Sequence, residues 1–266
     1  MNPKLLIYIV SYQRKKYTQG TIECIVNQQP KNSQIIVCDN GSTDGTREWL
    51  EKNQEKYNLG LLFPEENLRV GGAWTLLTEY FKEDGFDYIL LLDNDHWISQ
   101  ISPNWFSQCL SLFESSEKIG SLGLYKERNP GHFAKEQILD PNFSNKQFFK
   151  DIEFYDTVYY AGARLDKFSL WYNTMSNWPH KFIGDKIGRY YNSIGYRTLK
   201  LNPGFVIDIS TYNFQNPEHE EYNKWFYNKE RHKGEYERVL TLSKKEDELK
   251  KFINSNFGKK YLKYVL

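Results

Sequence analysis

Asp93 and Asp95 stand two residues apart at the end of the run Tyr88-Ile89-Leu90-Leu91-Leu92, and that placing demands a chemical partner. A run so apolar reads as a strand buried on both faces. Two carboxylates at the mouth of a low-dielectric core repel each other unless a cation or a network of donors neutralises them. A hard divalent ion carrying a diphosphate does so directly. Asp95 and Asp93 are therefore expected to hold Mg2+ or Mn2+ bridging two phosphates.

Two further polar clusters also follow apolar runs. Ser11-Tyr12-Gln13-Arg14 comes after Leu5 to Val10, and Asp39-Asn40-Gly41-Ser42-Thr43-Asp44-Gly45-Thr46 comes after Ile35 to Cys38. In an open parallel sheet, ligands lie beyond the carboxyl ends of the strands, near the point where strand order reverses. One nucleotide can then touch Ser11, Tyr12 and Arg14, Asp39, and the Asp93-Asn94-Asp95 turn, with Asp39 accepting hydrogen bonds from a base or ribose. Each motif alone is weak, since Asp-x-Asp is common and Asp-Asn-Gly is an ordinary turn. Their order, with strand–helix units between them, carries the joint reading.

The elements that must position these residues are those of an α/β protein. Strands are expected over Leu5–Tyr12, Gln34–Cys38, Leu59–Phe63, Asp87–Leu92 and Ile119–Tyr125. Helices are expected over Tyr17–Gln29, Val70–Lys82 and Pro103–Phe113, with Thr43 or Asp44 capping the one that carries Trp49 and Leu50. Farther on, Phe154–Ala163 alternates as a strand, Leu165–Tyr172 and Asp185–Ile194 read as helices, and Tyr196–Leu201 as a strand. The stretch from about Pro130 to Asp151 is irregular and is expected to be a mobile acceptor-side loop. From Lys244 to Lys263, seven lysines interleave with Leu249, Phe252, Ile253, Phe257 and Leu262, the pattern of a basic amphipathic helix. That helix is expected to dock on the protein's own core, with peripheral contact to a membrane surface as the alternative.

Composition narrows the classes. With 35 basic and 34 acidic residues, the formal charge of +1 gives no global field for holding nucleic acid. The apolar runs are far shorter than the roughly 20 residues that span a bilayer, and Met1-Asn2-Pro3-Lys4 opens no signal-peptide pattern, so a cytoplasmic protein is expected. Cys24, Cys38 and Cys109 suit reduced core thiols better than disulfides or a zinc site. The 20 Tyr, 17 Phe and 7 Trp are enough to line a carbohydrate site, yet Trp171, Tyr172, Trp178 and Tyr212 are explained equally well as packing.

The chain resembles the family 2 group of inverting, nucleotide-sugar-dependent glycosyltransferases with the GT-A fold. The resemblance rests on Tyr8-Ile9-Val10-Ser11-Tyr12, on the Asp39 octet, on Asn67-Leu68-Arg69-Val70-Gly71-Gly72-Ala73 and on Asp93-Asn94-Asp95. It covers the first 100 residues well and continues more weakly through Ala161-Gly162-Ala163 and Gly184 to Pro203. It implies a Rossmann-like, mostly parallel central sheet flanked by helices. Residues 1–125 would form the donor half, 126–215 the acceptor half and 216–266 a helical C-terminal extension. Asp39 would contact the base, Arg69, Gly71 and Gly72 would lie along the donor, and Asp93 and Asp95 would hold ribose and metal–diphosphate. The donor would be a UDP-, dTDP- or GDP-linked sugar, and the acceptor a glycan or a lipid-linked or other cell-envelope hydroxyl.

Asp185 is the candidate base, because an acceptor hydroxyl is a poor nucleophile while protonated. Here the chain departs from the family pattern, with Gly184-Asp185 in place of an acidic pair and a spacing to Gly195 one residue off. An acidic residue at a helix start is also an ordinary partner for the helix dipole. Where relatives carry a late histidine, this chain has Asp208; His219 and His232 read as surface residues. His96 either donates to a phosphate or caps the following segment. Two other readings remain. A non-catalytic nucleotide-sugar-binding module needs only the donor motifs. A sugar-phosphate nucleotidyltransferase needs a glycine-rich loop that Ser11 to Lys16 does not supply.

Overall fold

The computed structural model describes residues 3–83, 85–98, 105–124, 147–157, 163–179, 185–202 and 204–208. Eleven strands occur among them: β1 (Leu5–Ser11), β2 (Ser33–Asp39), β3 (Leu59–Leu62), β4 (Tyr88–Asp93), β5 (His96–Ile98), β6 (Ile119–Gly123), β7 (Gln147–Phe149), β8 (Ile152–Asp156), β9 (Arg164–Lys167), β10 (Arg197–Asn202) and β11 (Val206–Asp208). Six helices accompany them: α1 (Lys15–Val26), α2 (Thr46–Tyr57), α3 (Arg69–Leu77), α4 (Trp105–Ser115), α5 (Phe168–Asn177) and α6 (Asp185–Ser193).

Nine strands form one sheet in the order β3-β2-β1-β4-β9-β6-β10-β8-β7, and β11 pairs with β5 in a separate two-stranded ribbon. Only β9 and β8 run against the other seven strands, so the expected mostly parallel sheet is a mixed one with a parallel majority. Strand order reverses between β1 and β4, the crevice where such sheets bind ligands.

The apolar runs of β1, β2 and β4 are continuous because both faces are covered. Leu5, Ile7, Ile9, Ile35, Val37, Leu90 and Leu92 join Ile22 and Ile25 of α1, Leu50 of α2, and Trp105, Cys109 and Leu112 of α4 in one core. The alternate residues Leu6, Tyr8, Val10, Ile36, Cys38, Ile89 and Leu91 join Ala73 and Leu77 of α3, Phe168 and Trp171 of α5, and Ile187 and Tyr191 of α6 in the other. Each fully buried aliphatic side chain contributes about 1.5–3 kcal/mol, so any slip of β4 by one residue would exchange its two faces at large cost.

Three expectations change. The segment expected to be helical from Leu165 begins as strand β9, and the helix starts only at Phe168. Its period-2 pattern is masked because Arg164 and Asp166 are as buried as Leu165 between them. Asp166 accepts hydrogen bonds from Arg164, from Ser121 and, at 3.1 Å, from Tyr191 of α6. Second, β7 lies inside the stretch expected to be irregular, whose residues 130–146 fall outside the described set. Third, the short strands β5 and β11 have no sequence signal of their own. The expected helix over 244–263, the extension 216–266 and Tyr212, His219 and His232 also lie outside the described residues.

Candidate active site

Register aligns the three polar clusters. Ser11 at the end of β1 pairs with Asp39 at the end of β2, and Val10 pairs with Asp93 at the end of β4. The loop after β1 turns through two left-handed residues, Gln13 (φ 56) and Arg14 (φ 64), a conformation non-glycine residues adopt only when their surroundings impose it. The imposing contacts come from the loop after β2. Gln13 N donates to Ser42 Oγ at 2.7 Å, the Gln13 amide bonds Thr43, and Lys15 N donates to Asp44 Oδ2 at 2.7 Å. The other oxygen of Asp44 accepts from Thr46 N at 3.1 Å, so one carboxylate serves the first turns of α1 and α2.

Asp39 is buried and accepts from both the hydroxyl and the backbone N–H of Ser42. Burial pushes its carboxyl above the ordinary 3.8, against the pull of those two bonds and of nearby Arg47. Asn40 fixes the start of α3: its amide donates to Asn67 Oδ1 at 3.0 Å and its carbonyl accepts from Leu68 N at 2.9 Å. Asn67 Oδ1 also accepts from Arg69 N at 2.8 Å, and Arg69 is left-handed (φ 58). Gly71 and Gly72 follow, buried in the first turn of α3, and Tyr8 Oη donates to Ala73 O at 2.5 Å.

The Asp93-Asn94-Asp95 turn is braced on several sides. Asn94 is buried; its side-chain nitrogen donates to Gln13 O at 3.0 Å and Thr18 Oγ1 at 3.1 Å, and its carbonyl accepts from Thr21 Oγ1 at 2.8 Å. Asp93 N donates to His96 Nδ1 at 3.0 Å. Asp95 accepts from Arg14 Nη1 at 2.8 Å, and the same guanidinium lies 4.4 Å from the centroid of the Tyr17 ring. Asp93 keeps 46% of its side chain exposed, whereas Asp95 keeps 11% and His96 5%.

Of the residues expected to bind donor, the fold therefore brings Ser11, Tyr12, Arg14, Asp39, Arg69, Gly71, Gly72, Asp93, Asn94 and Asp95 to one end of the sheet. Ser11 Oγ is turned inward, 2.9 Å from Thr18 Oγ1, and the Asn94 amide nitrogen is likewise spent inside the protein. Thr18 and Thr21, one turn apart on α1, were not singled out in the sequence; two polar residues on an otherwise apolar helix face are the signal that marks them. Asp185 is the first residue of α6, and its side chain falls outside the described residues. Gly195 (φ 91) follows the end of that helix. In β11, Asp208 pairs in register with His96. Trp171 is fully buried, Trp178 is 41% exposed, and the three cysteines are free and buried. Burial pushes the Cys38 thiol up to about 11, which suits an unreactive core group.

Among the described residues, Asp93, Asp95 and His96 form a group whose ligating atoms all lie within 4.8 Å of one another. Two hard carboxylates, one open to solvent, are a donor set that would suit a hard divalent cation such as Mg2+ or Mn2+.

Comparison with known proteins bears on the fold and the family. Solved structures share the fold. A mannosyltransferase from Pyrobaculum calidifontis, in complex with GDP-Man and Mn2+, superposes with a TM-score of 0.59 at 12% identity, covering 91% of this chain and 69% of its own. The S. aureus TarS 1–349 structure in complex with UDP gives 0.53 at 15% identity, covering 89% and 69%. In sequence, the abequosyltransferase RfbV of Salmonella typhimurium (strain LT2) is 26% identical over 128 residues, 46% of this chain and 38% of that protein. Chondroitin synthase of Escherichia coli is 29% identical over 111 residues, 42% of this chain and 15% of its own length. The alignment thus spans well under half the length of either of these two curated relatives. The model of Glycosyl transferase family 2 matches residues 6–184, about two thirds of the sequence, and the chain belongs to that family.

Proposed function

We propose that this protein transfers a sugar from a nucleoside diphosphate to an acceptor hydroxyl with inversion at the anomeric carbon and dependence on Mg2+ or Mn2+. The observation that carries the reading is the register that sets Asp39 and the Asp93–Asp95 turn on either side of β1. Solved relatives of the same fold hold GDP-Man with Mn2+, or UDP, which supports a nucleotide-sugar donor.

In this reading Asp39 accepts an N–H of the base, and Tyr12 and Arg14 border the nucleotide. Arg69, Gly71 and Gly72 run along the donor, where a glycine backbone permits close approach. Asp93 and Asp95 hold the divalent cation, which when bound supplies positive charge opposite the departing diphosphate. Asp185 takes the acceptor's proton as the acceptor oxygen bonds the anomeric carbon and the carbon–oxygen bond to the diphosphate breaks. Residues 1–125 then form the donor half and 126–215 the acceptor half, with 216–266 as an extension. One carboxylate accepts a ring N–H from uracil, thymine or guanine alike, and the acceptor is a glycan or other cell-envelope hydroxyl. Buried reduced thiols suit a cytoplasmic setting.

Thermal denaturation with Mn2+ and a panel of UDP-, dTDP- and GDP-sugars tests this. A donor at about 100 times its dissociation constant should add roughly 2.7 kcal/mol to stability. That gain should require Mn2+ and vanish in Asp95→Asn. If no donor shifts the transition, or if Asp95→Asn responds like the parent, the donor-site assignment is wrong. NMR of the first-formed product reads the anomer, and retention would remove the role given to Asp185.

A further inference from the structure

His96 sits beside both carboxylates and looks at first like a third metal ligand. Its hydrogen bonding argues otherwise. The ring's Nδ1 accepts the backbone N–H of Asp93 at 3.0 Å, and a nitrogen that accepts an N–H carries no proton. The single proton of the neutral ring is then on Nε2. That nitrogen lies 3.8 Å from Asp93 Oδ2 and 3.9 Å from Asp95 Oδ1, facing the pair from the protein side, with only 5% of the histidine side chain exposed.

We infer that His96 stays out of the metal's coordination shell and is a positioning residue, holding the Asp93–Asp95 turn through Nδ1 and presenting an N–H to its carboxylates through Nε2. The inference rests on the proposed metal-dependent reading of this site. To ligate through Nε2, the ring would have to move its proton to Nδ1, where it would confront the Asp93 N–H and leave two buried donors opposed. A ring that keeps the bond it has offers the ion an N–H rather than a lone pair. The cation is therefore held by the two carboxylates from the exposed flank of Asp93, with no ligand atom from His96. Metal sites commonly use such a neighbour to orient a ligand, with effects of about 10–100-fold on affinity.

Two measurements decide it. Long-range 1H–15N NMR on metal-free protein with 15N-labelled histidine, with His96 identified by its loss in His96→Asn, should show Nδ1 unprotonated and Nε2 protonated. The opposite tautomer overturns the inference, whether or not metal binds. Electron spin-echo spectroscopy of the protein loaded with Mn2+ alone should show no coupling from a directly bonded imidazole nitrogen. Such a coupling, lost in His96→Asn, also overturns it. Affinity for Mn2+ should fall on the order of tenfold in His96→Ala and recover largely in His96→Asn, whose amide oxygen can accept the same backbone N–H. Failure of Mn2+ to bind the parent protein would instead remove the metal reading, which the NMR result does not depend on.

Discussion

Arg14 is held by the fold in a left-handed conformation and aimed at Asp95, the more buried of the two carboxylates expected to hold metal. A fixed cation 2.8 Å from a ligand oxygen competes with a divalent ion for the same charge. Arg14→Met should therefore bind free Mn2+ several-fold more tightly, by roughly 1 kcal/mol, while binding the nucleotide diphosphate less well. Calorimetric titration with Mn2+ alone and then with UDP in the presence of Mn2+ separates the two effects; weaker Mn2+ binding in the variant would contradict the competition. The placing of Asp39 and Asp93 was legible in the sequence because each closes an apolar run, and strand ends in a parallel sheet share one edge. The pairing of Arg14 with Asp95, and of Asn94 with Thr18, was not. Such pairings depend on how far α1 leans over the β4 turn, which no spacing along the chain records.

At the scale of elements, periodicity located most of the long strands and helices among the described residues, though α3 ends at Leu77 rather than Lys82 and β8 spans Ile152–Asp156 rather than Phe154–Ala163, but it failed at β9. A strand alternates visibly only if one face is polar and wet, and here Arg164 and Asp166 are polar and dry. Their partners come from β6 and α6, far along the chain. The same region depends on Gly120 in β6. A Cβ there would lie 2.7 Å from Leu170 Cδ2 of α5 and 3.1 Å from Tyr196 Cβ. The leucine methyl can turn aside, but the tyrosine Cβ is tied to the backbone entering β10. Gly120→Ala should cost about 1–3 kcal/mol through overpacking, read as a lower urea midpoint with unchanged slope. An unchanged midpoint would mean that α5 can lift from the sheet without cost.

For the whole molecule, the near-balance of charge conceals a costly placement. Lys200 of β10 is buried among strands, paired in register with Gly123 and Tyr155, and burial pulls its amine down from 10.5 to about 7. Between those values the unfolded chain binds more protons than the folded one, so stability rises with pH across that window. Below about pH 7 the full cost of the buried charge is present; above about 10.5 it has gone. Lys200→Met should flatten this dependence. Melting curves between pH 6 and 10 check it, and a variant whose Tm rises with pH as steeply as the parent's would contradict it.

Asp44 gives this edge of the sheet a mechanical property as well. Its two oxygens serve the start of α1 and the start of α2, and the same loop clamps the strained pair Gln13 and Arg14. Neither helix can fray at its first turn without loosening the other's cap, and either event frees the backbone that aims Arg14 at Asp95. The two helices and the loop that carries Arg14 are thus expected to open as one unit of local unfolding, so that the crevice at this edge of the sheet is assembled or lost as a whole.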